Sequence, residues 1–309
     1  MIQTAWFRVA LAALRDAGVR TLVVSPGSRS TPLVAAAIAA ELELVPIVDE
    51  RSAAHVALGR ARVTGEPTAL LCTSGSAAAC YLPAVVEAST ARVPLVVITA
   101  DRPPELHGCE APQTIDQQHL YGRFARAFVD LGPPSADRRA LRGLRRVIAR
   151  AVATARGPEP GPVHLCAPAR KPLEPTRLDD ELARLVNDVC AERLPVAPVP
   201  ARRIGDDWLV AVAELIAASP RGVITVGPRP ATAPPLGSSL AALARVSGYP
   251  VLAEATSGLR LAAGALPITG GFDLLYQTRA FASAAAPDLV LQLGAPPVST
   301  AWAQLLDRV

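Results

Sequence analysis

The sequence has few of the features that mark nucleic-acid-binding proteins. Aromatic residues make up 4% of its 309 residues, so few rings are available to stack on bases. Lys171 is the only lysine, and the net charge of +4 comes from arginine. Six arginines fall on one predicted amphipathic helix: Arg138, Arg139, Arg142, Arg145, Arg146 and Arg150. Because no base-reading motif accompanies them, they are typical of a solvated helix face, and no nucleic-acid partner is predicted.

Other absences exclude further classes of site. The five cysteines are odd in number and scattered, with no CxxC pair, which argues against a zinc site and against a disulfide framework. No strand is followed by GxGxxG, and no GxxxxGKS/T occurs, so neither a dinucleotide site nor a P-loop is indicated. The N-terminus predicts an amphipathic helix rather than a signal peptide, and no run reaches about 18 apolar residues. We therefore expect a cytoplasmic protein without a membrane span.

The pattern that is present is an alternation of short apolar strands and helices. Half of the residues are hydrophobic, and the chain length predicts two domains. Strands are predicted at 21–25, 44–48, 68–72, 95–99, 126–131 and 163–166, and helices at 4–17, 31–40, 51–63, 76–90, 113–122 and 136–155. This order is typical of βαβ units. The first domain, 1–168, is therefore predicted to be an α/β fold with a mainly parallel sheet covered on both faces.

The chain changes character after Pro168. Residues 169–204 are rich in proline around one helical stretch near 178–191, which predicts a linker that wraps rather than packs. A second alternation in 205–309 predicts a smaller α/β domain, again with a mainly parallel sheet flanked by helices. Its predicted helices are 206–218, 236–247 and 272–283, and its predicted strands are 223–226, 250–253 and 288–293, with a loop at 257–270.

Glu50 is the most informative single residue, because it lies where an apolar strand passes directly into a helix. The carboxyl ends of parallel strands are where α/β folds bind ligands, and a carboxylate buried there needs a partner or a shifted pKa. A simpler interpretation is a first-turn acid that interacts with the helix dipole. Glu50 taken alone favours the simpler interpretation. The choice between the two therefore depends on the other segments at this edge.

The loop 25–33, SPGSRSTPL, follows a predicted strand and opens a helix. Its free backbone N–H groups, the hydroxyl of Ser28 and the guanidinium of Arg29 suit a carboxylate or a phosphate. Simple N-capping by Ser30 or Thr31 explains the same residues equally well. The residues alone leave these alternatives open.

Two further loops follow predicted strands at the same edge. The loop 73–80 combines hydroxyls with glycine and alanine, which allows close approach of a flat ligand or forms a simple tight turn. The loop 99–118 is long, polar and rich in proline, and a loop of this length in a compact domain usually binds something. Its His107 is predicted to be solvent-exposed rather than catalytic, because no acid or nucleophile is placed beside it in the sequence.

Together, in order and spacing, these segments resemble the 2-succinyl-5-enolpyruvyl-6-hydroxy-3-cyclohexene-1-carboxylate synthases, the thiamine-diphosphate enzymes of menaquinone biosynthesis. The segments are SPGSRSTPL, DERSAAHVALGRA, TSGSAAACYLPAVVEAS and TADRPPEL, and the match continues at 253–260 and 291–299. The resemblance implies that 1–168 binds the pyrimidine of thiamine diphosphate and that 205–309 is the family's central domain.

The resemblance also implies a reaction and a set of site residues. Glu50 would pair with a ring nitrogen of the cofactor's aminopyrimidine and so help to activate the cofactor. The implied reaction is decarboxylation of 2-oxoglutarate, followed by addition of the succinyl-semialdehyde carbanion to isochorismate, with Mg2+ or Mn2+ bound. The implied cofactor-binding residues are Glu50, Thr73, Ser74 and Gly75. The implied isochorismate-binding residues are Ser28, Arg29, Arg102 and Gln113.

The chain departs from the family's pattern in three ways. Thr300 and Ala301 stand where many members have a basic pair, and Pro112 replaces a side-chain amide, which weakens the case for substrate contacts at those positions. The Gly-Asp-Gly…Asn motif of the family's C-terminal domain, which binds the metal and the diphosphate, does not occur. We therefore expect half of an active site, inactive alone, in a homo-oligomer (dimer or tetramer).

Two alternative functions remain open. Another thiamine-diphosphate enzyme, such as an acetolactate synthase, would share the glutamate but would lack SPGSRSTPL and ADRPPEL together. A non-catalytic module could keep the isochorismate-facing edge without turnover. An artificially shortened gene and a naturally split gene would both give this sequence.

Overall fold

The computed structural model describes residues 1–194, 203–230, 233–260 and 268–307. The chain divides into two compact units, Met1–Ala201 and Arg202–Val309. Each unit contains a parallel sheet flanked by helices, which confirms the predicted fold class. The proline-rich stretch 195–202 of the predicted linker lies outside the described residues.

The first unit is built on six parallel strands in the order β2-β1-β3-β4-β6-β5. The strands are β1 (Thr21–Val24), β2 (Glu43–Pro46), β3 (Thr68–Cys72), β4 (Leu95–Asp101), β5 (Ala127–Asp130) and β6 (Pro162–Pro168). The helices are α1 (Ile2–Asp16), α2 (Thr31–Ala39), α3 (Glu50–Thr64), α4 (Ser76–Ala79), α5 (Leu82–Thr90), α6 (Arg138–Arg156) and α7 (Asp180–Ala191). Because all strands are parallel, their carboxyl ends lie along one edge of the sheet.

The sheet of the first unit is buried on both faces. On one face, Leu22 and Leu71 pack with helices α1, α2, α6 and α7. On the other face, Val23 and Leu70 pack with α3 and α5. Consecutive residues of a strand therefore enter different cores, which explains why these strands are continuous apolar runs rather than alternating patterns.

Helix α7 differs from the expectation of a linker that wraps without packing. Its Leu182 and Val189 enter the core of the first unit. Arg145 of α6, only 3% exposed, donates a hydrogen bond to the carbonyl of Val189, and Arg142 pairs with Glu192 at 2.6 Å. Arg145 is thus not part of the solvated face that the sequence predicted, because α7 covers it.

Two helix predictions in the first unit are wrong. The stretch 113–122 is not an α-helix, since Gln113 and His119 have positive φ angles of 57° and 52°, outside the right-handed helical region. The stretch 76–90 is two helices, α4 and α5. Pro83 lies in the first turn of α5, where its missing N–H costs no helical hydrogen bond.

The second unit has four parallel strands in the order β10-β7-β8-β9. They are β7 (Gly222–Val226), β8 (Val251–Ala253), β9 (Ile268–Thr269) and β10 (Leu289–Leu293). Its helices are α8 (Asp206–Ala218), α9 (Gly237–Ser247), α10 (Phe272–Gln277), α11 (Arg279–Ala284) and α12 (Thr300–Leu306).

Strand β9 falls in the predicted loop, and α12 was not predicted. The predicted helix 272–283 is interrupted at Thr278, whose backbone is extended. Among the described residues, no helix is long and apolar enough to cross a membrane.

Candidate active site

The candidate site lies where the strand order of the first unit reverses. Strand β1 has β2 on one side and β3 on the other. The chain leaves β1 into α2 on one face of the sheet and leaves β3 into α4 and α5 on the other. The helices that follow β1 and β3 therefore lie on opposite faces of the sheet. Open α/β sheets bind ligands at the carboxyl edge between two such strands, and we call this place the crevice.

Glu50 is the first residue of α3, and its side chain is half-buried. The cap of that helix is its neighbour Asp49, whose Oδ1 accepts a hydrogen bond from the Ser52 amide at 2.8 Å; this bond lowers the pKa of Asp49. Within the described residues, Glu50 itself makes no hydrogen bond and no ion pair. Burial first, and then the nearby charge of Glu50, raise the pKa of the Cys72 thiol at the end of β3. The free carboxylate therefore lies beside the crevice.

The loops after β1 and β3 touch at Gly27. A β-carbon added there would lie 2.5 Å from Cβ of Thr73 and 2.8 Å from its Cγ2. The φ of Gly27 is −168°, so glycine is needed for this close approach and not for the backbone conformation. The hydroxyl of Thr73 is buried and has no hydrogen-bond partner among the described residues. A ligand in the crevice would meet a free hydroxyl beside a glycine.

The serines that follow β1 do not cap α2 through their side chains. The hydroxyl of Ser30 donates to the carbonyl of Gly27 at 2.9 Å and accepts no bond from a helix amide. The side chain of Ser28 is exposed at the same edge. The simple N-capping explanation through Ser30 is therefore wrong.

Arg29 lies within the electrostatic influence of both Arg102 and the buried Asp101. Arg29 is 4% exposed; its Nη1 donates to the carbonyl of Ala169 at 2.6 Å, and its Nε has no partner among the described residues. Burial first, and then the charge of Arg102, lower the pKa of Arg29, while Asp101 opposes both. Two arginines and one aspartate thus act on each other here, and the excess positive charge suits an anionic ligand.

Gln113 ties the long loop to the loop that follows β3. Its Nε2 donates to the carbonyl of Ser74 at 3.1 Å, and the Ser74 hydroxyl donates to the carbonyl of Gln113 at 3.3 Å. Gly75 has a φ of +90°, and a β-carbon there would lie 3.0 Å from Cγ of Gln113. Glycine at 75 is thus required by both its conformation and its contact.

The edge of the first unit's sheet carries all of the residues that the sequence selected there: Glu50, Thr73, Ser74, Gly75, Ser28, Arg29, Arg102 and Gln113. Sequence reasoning missed Asp101, the last residue of β4, which is 2% exposed. The sequence feature that could have identified Asp101 is a carboxylate directly after the apolar run of β4. His107 is 36% exposed, as predicted, but it has an acid beside it, since its Nε2 lies 3.4 Å from Oδ2 of Asp101.

The second unit explains one departure from the family's pattern. Thr300 and Ala301 begin α12, whose N-cap is Ser299. Ala301 is 6% exposed and belongs to the core of the second unit, so this position contributes to packing. Within the parts of the chain that the structure describes, no group of three or more His, Cys, Asp or Glu side chains could hold a metal ion.

Comparison with known proteins gives relatives for nearly the whole chain. The family described as thiamine pyrophosphate enzyme, N-terminal TPP binding domain, matches residues 6–120. A 2-succinyl-5-enolpyruvyl-6-hydroxy-3-cyclohexene-1-carboxylate synthase from Halorubrum lacusprofundi is 47% identical over 96% of this chain and 50% of its own length. The synthase of the same name from Haloquadratum walsbyi is 45% identical over 98% of this chain and 50% of its own. The chain thus spans about half the length of these curated relatives.

A solved structure supports the fold. The thiamine diphosphate-dependent 4-hydroxybenzoylformate decarboxylase of Rhodococcus jostii RHA1 aligns with a TM-score of 0.68 and covers 94% of this chain and 52% of its own. Its sequence identity is 21%, so this likeness concerns the fold alone. The region matched by the thiamine pyrophosphate family includes Glu50, Arg102 and the loop 73–75 of the crevice.

Proposed function

We propose that this chain forms the pyrimidine-binding and central domains of a 2-succinyl-5-enolpyruvyl-6-hydroxy-3-cyclohexene-1-carboxylate synthase, since it matches such synthases over about half their length. In this proposal, 1–168 binds the aminopyrimidine of thiamine diphosphate and 205–309 is the central domain. The complete enzyme would use 2-oxoglutarate and isochorismate. The observation that carries the proposal is the half-buried carboxylate of Glu50 beside the crevice, which has no hydrogen-bond or ion-pair partner among the described residues.

Two features support binding of a flat heterocycle in the crevice. Gly27 and Gly75 let Thr73 and Gln113 approach the backbone closely, and the buried hydroxyl of Thr73 lacks a partner among the described residues. Glu50 and the loop 73–75 would hold the aminopyrimidine, and thiamine diphosphate, when bound, would supply the carbanion chemistry of decarboxylation. The role of Glu50 is to hold and exchange a proton at its carboxylate, as a general acid–base group.

The other end of the crevice would bind isochorismate. The charged groups there are Arg29, Arg102 and Asp101, which sum to an excess of positive charge. The hydroxyl of Ser28 is exposed, and Gln113 is fixed against the loop that follows β3. A dianionic substrate would be oriented by this excess positive charge and by the polar groups around it.

The metal and the oligomer belong to the same proposal. We place Mg2+ or Mn2+ and the ligands of the diphosphate in the part of the enzyme that the relatives have beyond this length. Exposed apolar side chains before and along α3 support a homodimer or homotetramer in which each site joins two subunits: Val48, Val56 and Val63 are 85%, 46% and 88% exposed. A cytoplasmic location remains part of this proposal.

The decisive experiment changes Glu50 in a complete enzyme that carries this region. Glu50→Gln keeps volume but cannot exchange a proton, so kcat should fall by about 10²–10⁴ with an unchanged thermal midpoint. Glu66→Gln, an exposed glutamate after α3, is the matched control and should leave kcat unaltered. Normal kcat with a lowered midpoint would instead support the first-turn-acid interpretation and overturn the proposal.

The 309-residue chain gives a second test. Without the diphosphate and metal ligands, it should form no product from 2-oxoglutarate and isochorismate in the presence of thiamine diphosphate and Mg2+. Product formed by the purified chain alone would show that half a site is the wrong description. A sedimentation measurement at micromolar concentration should show a dimer or a larger species, and a monomer would count against the shared site.

A further inference from the structure

Arg102 is held at three points by groups of its own loop and strand. Its backbone N–H donates to Oδ1 of Asp101 at 2.7 Å. Its carbonyl lies 2.8 Å from Nε2 of His107. Its Nη2 donates to the carbonyl of Pro112 at 2.9 Å. Both backbone polar groups of Arg102 and its guanidinium therefore have partners, although Arg102 lies in a loop.

The anchor of this arrangement is Asp101. Its carboxylate is 2% exposed, so it must be satisfied by donors from the protein. The donors are the N–H of Arg102, which bonds to Oδ1, and the thiol of Cys166, 3.5 Å from Oδ2. Nε2 of His107 lies 3.4 Å from the same Oδ2. The carboxylate thus joins the end of β4, strand β6 and the loop.

His107 completes these contacts on the solvent side. We call Asp101, Arg102 and His107, with the contacts between them, the ring around Arg102. The carbonyl of Arg102 can only accept, so Nε2 of His107 must carry the hydrogen that it donates. The same nitrogen lies 3.4 Å from Oδ2 of Asp101, so the bond to Arg102 is made beside the buried carboxylate. Arg102 is therefore held between two side chains: the buried carboxylate of Asp101 binds its N–H, and His107, which is 36% exposed, binds its carbonyl.

We propose that His107, anchored by Asp101, is a positioning residue that holds Arg102 for one carboxylate of the dianionic acceptor substrate. The inference rests on the proposed function and deepens it. Arg102 is the less buried of the two guanidinium groups, and Arg29 is already tied to the carbonyl of Ala169. Fixing Arg102 in advance reduces the ordering that substrate binding must supply.

The first measurement uses the 309-residue chain and does not depend on catalysis. His107→Leu removes the donor, and hydrogen–deuterium exchange of the peptide 101–118 should become faster by roughly three- to tenfold, the range that one hydrogen bond supports. His107→Gln, whose amide N–H reaches a similar position, should restore exchange to within about twofold. Cys109→Ala, an exposed change on the same loop, is the control.

The second measurement uses a complete enzyme with the same substitutions. His107→Leu should raise KM for isochorismate by roughly three- to tenfold while kcat and KM for 2-oxoglutarate stay the same, and His107→Gln should rescue it. An unchanged KM for isochorismate, or an equal change for both substrates, would overturn the positioning role. An unmodified enzyme without synthase turnover would instead refute the proposed function, and the exchange result would still report on the ring.

Discussion

Replacing Gly27 by alanine tests the contact on which the crevice depends. The added β-carbon would lie 2.5 Å from Cβ of Thr73, whereas ordinary contact begins at 3.4 Å, so the loops after β1 and β3 must separate by about 1 Å (3.4 − 2.5). Overpacking of this kind costs about 1–3 kcal/mol, since both partners are backbone-near atoms that cannot rotate away. We therefore expect Gly27→Ala to lower the free energy of unfolding of the first unit by that amount.

The assay is urea unfolding followed by tryptophan fluorescence. Changing Trp208 and Trp302 to phenylalanine in the reference protein leaves Trp6 as the reporter, which confines the signal to the first unit. Gly59→Ala is the matched control, because Gly59 lies inside α3 with nothing within 4 Å of its added β-carbon. That control should be more stable by about 0.5–1 kcal/mol, through helix propensity alone.

The two glycine substitutions should thus have opposite signs. Adding Thr73→Gly to Gly27→Ala removes the opposing β-carbon and should recover part of the loss, a coupling that a double-mutant cycle measures. A Gly27→Ala protein as stable as the reference would refute the close approach of the two loops. It would also remove the argument that Gly27 shapes the crevice.

Three further substitutions test the supports of the first unit. Asp179→Ala removes the N-cap of α7 and should lower the free energy of unfolding by about 1 kcal/mol in urea titration; no change would show that α7 is not part of the cooperative unit. Arg145→Met removes both the donor to the buried carbonyl of Val189 and the ion pair with Asp16 at 3.2 Å, and it should cost about 3 kcal/mol; a loss near zero would contradict the packing of α7. Burial lowers the pKa of His164 to about 3, below its unfolded value of about 6.5, so the unfolded state binds the extra proton between these values. Stability should therefore fall as the pH drops through this window, by at most about 1.4 kcal/mol per unit, and His164→Gln should flatten this part of the profile.

The strands could be predicted from sequence because burial on both faces makes them short apolar runs. Strand β3 was predicted with its observed bounds, 68–72, and the other strands within a few residues, except β9, which was predicted as loop. The conformation of 113–122 could not be predicted in this way, because its sequence pattern is that of a helix. Its conformation is set instead by distant contacts, such as the bond from Gln113 to the carbonyl of Ser74. Local propensity is overridden there by tertiary structure.

The candidate site was predictable in its position more than in its contacts. Residues after parallel strands share an edge whatever their partners are, so Glu50 and the loop 73–75 could be grouped in advance. The resemblance to known synthases supplied their implied roles. The ring around Arg102 could not be foreseen, because it depends on Asp101 being buried and on His107 returning to its own loop. The same limit applies to Arg145, whose partner Val189 lies 44 positions away.

The division of β3 between two cores has a consequence for insertions and deletions. Leu70 and Leu71 face opposite cores, and every residue of β3 is buried. One inserted residue would exchange apolar side chains between the cores without bringing a charge inside, so the fold could tolerate the change. The same insertion would carry Thr73 about 3.3 Å along the strand direction, away from Gly27. An indel in this strand is therefore expected to leave a folded protein whose binding edge is out of alignment, so that foldedness alone would not report that the crevice is intact.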